Sequence, residues 1–400
     1  MKRDMVTGKI LKIGLLWHSG KSGNLGVGAL TLANLAIARQ VAKELGFEPQ
    51  FTIIGVADRG RAYIGPPDAS LYDVNSRRLI DPRETLAVIG AQHCILDIGA
   101  GDSFADIYGF KRFLFLWVSK MMAVARGVPL LLSPQTIGPF TKQPYRWMAK
   151  LAMERADAVV ARDHQSFDVL KSIAPRARAV QSVDVAFALL FTDRSAERGG
   201  ATLRVGVNVS GLLLNEAESG RNRFGLQADY ARLMRGFAGV MAAREDVELH
   251  LISHATSDRD LRDDDRQAAD RFAAEFPGAI RVPDFAGPQQ AKSYISSLDY
   301  LVAGRMHACI AAFSSGTPVV PVAYSRKFSG LFGTLGYDFM LPVTGMGTYA
   351  ALAFLIEGLE RREVMRAAMA AGMEKIEALL ENYRAELRIE LAVAGELAAL

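Results

Sequence analysis

The stretch Asp299-Tyr300-Leu301-Val302-Ala303-Gly304-Arg305-Met306-His307-Ala308-Cys309-Ile310 decides how this chain is read. Tyr300–Ala303 has the apolar run of a short buried strand, and Ala308 to Phe313 that of an apolar helix. Arg305 and His307 then fall at the turn between them, beside a helix N-terminus, where free backbone N–H groups and the helix dipole favour an anion. The chain runs on through Gly316-Thr317-Pro318 to Tyr324-Ser325-Arg326-Lys327-Phe328, and from Tyr300 to Tyr337 it holds no Asp or Glu. The expectation is a cationic pocket with one titratable histidine, suited to a small phosphate or carboxylate.

The same strand–turn–helix phrase recurs on both sides of this stretch. Upstream, Lys12 to Trp17, Phe51 to Val56, Cys94 to Ile98, Pro129 to Ser133 and Ala158 to Ala161 read as strands, with a helix from Leu30 to Leu45. Downstream of a polar linker (Thr192 to Gly200) come Leu203 to Val209, Glu248 to Ile252, Ile280 to Val282, Tyr300 to Ala303 and Val319 to Val322. Short apolar strands alternating with helices predict parallel α/β sheets, whose ligands bind beyond the carboxyl ends of the strands. The expected architecture is two Rossmann-like domains, 10–192 and 203–345, facing each other across a cleft, with a helical tail over 346–400.

With 400 residues, half of them apolar and 22% charged, the composition is that of an ordinary globular protein with two or three domains. A net charge of +4 suits an acidic substrate or an anionic membrane surface and is too small to argue for nucleic acid. Cys94 and Cys309 are the only cysteines. No metal-ligand spacing is present, so the expectation is no metal, no disulfide framework and a cytoplasmic setting. The most apolar segment, Phe113 to Leu132, is interrupted by Lys120, Arg126 and Pro129 and reads as a helix followed by a strand rather than a membrane span. Membrane association is expected to be peripheral at most, at the inner face, with the Arg-containing C-terminal helices able to tolerate such a surface.

Four loops at expected strand ends carry candidate chemistry. Ser19 to Gly28 is glycine-rich but fits neither a Walker A loop nor a dinucleotide fingerprint; it reads as a close backbone approach to a ligand, through Asn24 and Gly26, or as a plain tight turn. Gly99-Ala100-Gly101-Asp102-Ser103 offers Asp102, and Asp106 just beyond, to orient or deprotonate a sugar hydroxyl; equally, Asp102 could cap a helix. Arg162-Asp163 reads as a bidentate anion clamp or as a surface ion pair. His307 reads as an active histidine rather than a core one. His254 is a secondary candidate, and the charged run from Asp258 to Asp265 reads as a solvated helix face.

Taken in order, Gly23-Asn24-Leu25-Gly26, the Gly99–Ser103 loop, Gln135-Thr136-Ile137-Gly138-Pro139, Ala161-Arg162-Asp163, Asp184-Val185-Ala186-Phe187 and Arg305-Met306-His307-Ala308 through Lys327 resemble the polysaccharide pyruvyl transferase family, over roughly Ile13 to Gly336. The resemblance implies a GT-B-like fold and transfer of the enolpyruvyl carbons of phosphoenolpyruvate, a co-substrate rather than a cofactor, onto a saccharide that is free, nucleotide-linked or lipid-linked. It implies donor binding and catalysis for Arg162, Arg305 and His307; the chemistry of the residues makes His307 the acid, toward the methylene carbon or the departing phosphate, and Asp102 or Asp106 the base. Arg162, Arg305 and Lys327 become the donor contacts, with Asn24, Gly26, Gly101, Ser103 and Gln135 as further substrate contacts. The chain departs from the family pattern where Val27-Gly28 replaces an acidic pair, and where Ala100 and Asp102 enter a Gly-Gly-Gly-Ser loop. The competing reading is a glycosyltransferase with a nucleotide-sugar donor, against which the acid-free run from Tyr300 to Tyr337 counts; a third is a non-catalytic saccharide-binding relative.

Overall fold

The structure is a computed structural model that describes residues 9–58, 60–257 and 261–398. Thirteen described strands form two sheets. Strands β1 (Lys9–Leu16), β2 (Phe47–Val56), β3 (Ser70–Val74), β4 (Cys94–Asp97), β5 (Leu130–Gln135), β6 (Ala158–Ala161) and β7 (Ala179–Gln181) lie in the order β3-β2-β1-β4-β5-β6-β7. Strands β8 (Leu203–Asn208), β9 (Val247–Leu251), β10 (Ile280–Arg281), β11 (Tyr300–Ala303), β12 (Val319–Ala323) and β13 (Leu341–Pro342) lie in the order β10-β9-β8-β11-β12-β13. Every pairing is parallel. Helices cover both faces of such sheets, which is why central strands such as Cys94–Asp97 and Tyr300–Ala303 are buried at every position.

In each sheet the strand order reverses once, between β1 and β4 and between β8 and β11. The connections leave in opposite directions at that point and open a crevice at the carboxyl ends of the strands. The loops after Leu16 and Asp97 meet at the first crevice. Those after Asn208 and Ala303 meet at the second.

The chain divides into two compact units that differ from the expected boundaries. The first holds residues up to Ser22, Leu30–Val185 and Glu377–Leu400; the second holds Gly23–Ala29 and Ala186–Ile376. The expected C-terminal helical tail is present as the helices Thr348–Glu360 and Arg362–Leu397. The helix Arg362–Leu397 buries Met365, Met369 and Ile376 in the second unit, then Tyr383, Leu387, Leu391 and Ala394 in the first. Within the first unit Tyr383 Oη donates to Asn34 Oδ1 at 2.6 Å and lies 3.0 Å from Ser133 Oγ. The first helix starts at Leu25, earlier than the expected Leu30, because Asn24 caps it: Asn24 Oδ1 accepts from Gly26 N at 3.0 Å. Strands β3, β7 and β13 are short, partly exposed edge strands whose sequences lack a buried apolar run.

Candidate functional site

In the second unit, the site grows from the turn after β11. Arg305 precedes the helix Met306–Ser314, and its backbone N–H donates to Asn208 Oδ1 at 3.1 Å, tying the turn to the end of β8. Its guanidinium is held by two carboxylates that lie elsewhere in the sequence. Nε and Nη2 reach Asp265 at 3.0 and 2.7 Å, and Nη2 also reaches Asp263 at 2.6 Å. Burial opposes the charge on Arg305, but Asp265 and Asp263 more than offset it, so its pKa is raised. The acid-free surroundings expected of this turn exist along the chain and not in space.

Asp265 is the hub of this arrangement. It is wholly buried and also accepts from Asn208 Nδ2 and from the backbone N–H groups of Gly211, His254 and Ala255. The reading of Asp258 to Asp265 as a solvated helix face is thereby corrected for its last residues: Asp264 and Asp265 are buried, while Asp258 lies outside the described residues. Sequence reasoning missed Asp265 because the partner that explains it is 40 residues away. A local trace is present in Asp264, which caps the helix Asp265–Glu275 by accepting from Arg266 N at 2.9 Å.

The Gly23–Gly26 motif joins the Arg305 turn. Leu25 N donates to His254 O, Thr256 N donates to Gly23 O, and Asn24 forms a bridge with Ala255. A Cβ on Gly26 would stand 2.3 Å from His307 Nδ1, so the imidazole occupies the space that a side chain there would fill. This explains the glycine by contact rather than by backbone conformation. His254 lies in the same cluster; burial, then the charges of His307 and Arg305, hold its pKa down to about 3 against the pull of Asp265. Lys327 is on the first turn of the helix Arg326–Leu335, its Nζ 5.9 Å from the centroid of the Tyr324 ring.

In the first unit, Gly99, Ala100 and Gly101 all have left-handed backbone, with φ of 54°, 50° and 86°. A Cβ on Gly99 would meet Gln135 Oε1 at 2.1 Å, so both conformation and space demand glycine there. Ala100 has no such freedom, and left-handed backbone costs an alanine about 1–2 kcal/mol. The loop is braced from beneath by Asp97, whose Oδ1 accepts from Gly99 N at 2.6 Å and whose Oδ2 pairs with Lys120 Nζ at 2.9 Å. Both side chains are fully buried; burial raises the Asp97 pKa and lowers that of Lys120, each opposed by the other's charge.

Gln135 donates from Nε2 to Asp97 O and Ser133 O, holding β5 against β4. Arg162 is only 2% exposed. It pairs through Nη1 with Asp184 at 2.7 Å and donates from Nε to Thr136 Oγ1 at 2.9 Å. Asp163 is not its partner, so the surface ion pair does not form; Asp163 caps the helix His164–Ile173 by accepting from Ser166 N and Oγ. Asp102 accepts from Tyr108 Oη at 2.7 Å, and Ser103 Oγ accepts from Arg112. Asp106 accepts from the backbone N–H and hydroxyl of Thr141, which ties down the segment after β5.

The structure thus groups Gly101, Asp102, Ser103, Gln135 and Arg162 in the first unit, and Asn24, Gly26, Arg305, His307 and Lys327 in the second. Among the described residues no cluster of three or more His, Cys, Asp or Glu is arranged to hold a metal ion.

Two parallel sheets whose candidate loops leave the carboxyl ends of the strands define a GT-B-like fold, and solved structures share it. The S. aureus MnaA–UDP structure matches with a TM-score of 0.54 at 12% identity, covering 90% of this chain and 91% of that one. TcCGT1 in complex with UDP gives 0.55 at 12% identity, covering 96% and 100%. A trehalose-6-phosphate synthase from Burkholderia multivorans gives 0.53 at 12% identity, covering 98% of each. The model of the polysaccharide pyruvyl transferase family matches residues 24–326, and the chain belongs to that family. The amylovoran biosynthesis protein AmsJ of Erwinia amylovora is 23% identical over 265 residues; the match spans 60% of this chain and 59% of AmsJ.

Proposed function

We propose that this protein transfers the pyruvyl group of phosphoenolpyruvate to a saccharide during the synthesis of a polysaccharide or cell-surface glycan, closing a ketal across two hydroxyls. The observation that carries the reading is the packing of Gly26 against His307. It brings the Gly23–Gly26 and Arg305–His307 motifs, far apart in sequence, to one place at the strand ends of the second unit.

In this reading the second unit handles the donor. A carboxylate and a phosphate call for several N–H donors, supplied by Arg305, Lys327 and the N-terminus of the helix Met306–Ser314. Because Arg305 shares its charge with Asp265 and Asp263, it contributes oriented N–H groups more than net charge. His307 delivers a proton to the methylene carbon, and a sugar hydroxyl attacks the cationic second carbon, forming a C–O bond. A second hydroxyl then displaces inorganic phosphate and closes the ketal, the hydroxyl protons passing to a base and to the departing phosphate. Asp102 is the candidate base, in the Gly99–Ser103 loop that would face the acceptor, while the buried Gly101, Ser103 and Gln135 shape that loop from behind rather than touch the sugar. Arg162 is a positioning residue that holds this loop's neighbours through Thr136 and Asp184. The setting we propose is cytoplasmic, in keeping with Cys94 and Cys309 as buried free thiols.

Thermal melting with phosphoenolpyruvate, inorganic phosphate and UDP-sugars tests the donor. A ligand at ~100 times its dissociation constant adds ~2.7 kcal/mol to the folded state. Stabilisation by phosphoenolpyruvate beyond phosphate, together with a His307→Ala protein whose turnover falls ~10²–10⁴-fold, is the expected result. A His307→Ala protein with wild-type turnover would overturn the assignment. The nucleotide-sugar reading keeps one specific support: Asp263 and Asp265 do stand beside Arg305, where sequence alone showed no acid. Stabilisation by a UDP-sugar alone would decide for it.

A further inference from the structure

We propose that one face of the first unit, formed by residues 107–112 and 142–150, is a docking surface for an anionic membrane. Among the described large aromatic side chains, four are exposed: Tyr108, Phe110, Trp147 and Tyr349. Three of these four lie on this face, and Ile107 beside them is 63% exposed. Trp147 is 58% exposed although it sits on the helix Tyr145–Arg155, whose next residues Met148 and Ala149 are buried.

The two segments are physically one surface. Phe110 packs edge-on against Tyr145 with ring centroids 5.5 Å apart. Asp106 N donates to Pro139 O, and the Asp106 carboxylate accepts from Thr141. These bonds fix the loop that carries Ile107 and Tyr108 beside the segment that leads into the helix Tyr145–Arg155.

The charge on this face has one sign. From Ile107 to Met153 the chain contains no Asp or Glu. Lys111, Arg112, Lys142 and Arg146 are exposed, and the side chain of the half-buried Lys150 is 41% exposed. The carboxylates that border the face are already engaged: Asp102 with Tyr108, Asp106 with Thr141, and Glu154 3.9 Å from Lys150 and near Arg176. Tyr, Trp and Phe at a rim of Lys and Arg match the polar–apolar layering of a lipid headgroup region. The lysines favour lipid over an acidic protein partner, because Lys is depleted at protein interfaces and attracted by anionic leaflets.

This surface is also wired to the loop given to the acceptor. Tyr108 Oη donates to Asp102, and Arg112 donates to Ser103 Oγ. A membrane held at this face would therefore present a lipid-linked saccharide to the loop at Asp102, with the buried Ser103 holding Arg112 from behind. Binding itself does not depend on which donor the protein uses.

The test is flotation of the full chain with phosphatidylcholine vesicles and with vesicles that also contain phosphatidylglycerol. Binding to the anionic vesicles only, weakened by salt, is expected. Trp147→Ser with Phe110→Ser should weaken it roughly tenfold or more, and Lys142→Glu with Arg146→Glu by roughly fivefold per charge removed. Unchanged melting temperatures would show that these exposed substitutions leave the fold intact. Absence of vesicle binding by the wild-type chain, or binding indifferent to both pairs of substitutions, would overturn the proposal. Full competition by soluble poly-glutamate with no effect of the Trp147 and Phe110 changes would overturn it in favour of an acidic protein partner.

Discussion

Each sheet sets an arginine at the carboxyl end of an inner strand, Arg162 after β6 and Arg305 after β11, and the two are held differently. Arg162 is 2% exposed and meets one carboxylate, Asp184, plus the Thr136 hydroxyl. Arg305 is 12% exposed and meets two carboxylates, one of them through both Nε and Nη2. A guanidinium sealed in with a single carboxylate ties loops together. One gripped from behind by two partners and still reaching solvent is aimed. The lesson is that an arginine at a strand end is not by itself a substrate clamp; the carboxylates behind it decide what it can offer.

The sharpest way to break this contrast is to remove those carboxylates. Asp184→Ala leaves the Arg162 guanidinium with no carboxylate, and Asp265→Ala leaves Arg305 with Asp263 alone, each a loss of about 3–5 kcal/mol. Asp265→Ala should be the worse, since four further donors lose their acceptor. Urea unfolding of both variants measures it; an Asp265→Ala protein as stable as wild type would mean that Arg305 is not held as described.

Two of the three buried histidines among the described residues extend the comparison to acid. His18 and His254, one in each unit, have pKa values held down to about 3, by burial in both and by the His307 and Arg305 charges in the second. The unfolded chain takes up protons near pH 6.5 and the folded chain does not. Stability therefore holds above about pH 6.5 and falls toward pH 3 by about 1.4 kcal/mol per pH unit for each histidine. His18 Nδ1 donates to Leu16 O while Nε2 accepts from Asn34, so His18→Gln should flatten the acid slope of melting temperature against pH.

Gly26→Ala comes next. Its Cβ must displace the His307 imidazole, so turnover should fall at least tenfold while stability drops by only about 1–3 kcal/mol. Steady-state kinetics alongside melting separates the two, and a fully active Gly26→Ala protein would detach this motif from His307. The smallest effect belongs to Asp163, beside Arg162. As a helix cap, its change to Ala should cost about 1 kcal/mol and the change to Asn much less, read by thermal unfolding. A loss several times larger would mean that Asp163 shares the duty of Asp184.

What the sequence by itself determined is the order of parts: which runs are strands, which turns hold glycine, and the family these make together. Strands such as Ala158–Ala161 and Tyr300–Ala303 were legible because a parallel strand covered on both faces is a short continuous apolar run, a local signal. Of the edge strands, β3, β7 and β13 were not legible, since half-exposed edges need no such run, whereas β10 was. Candidate loops could be picked out because they follow those runs, where parallel sheets place their ligands. Only the tertiary structure decided the partners. It gave Asp265 to Arg305, His307 to Gly26, Asp184 to Arg162, and the end of the last helix to the first unit. Charge pairing and steric contact act through space, so residues distant along the chain settle what a local motif does.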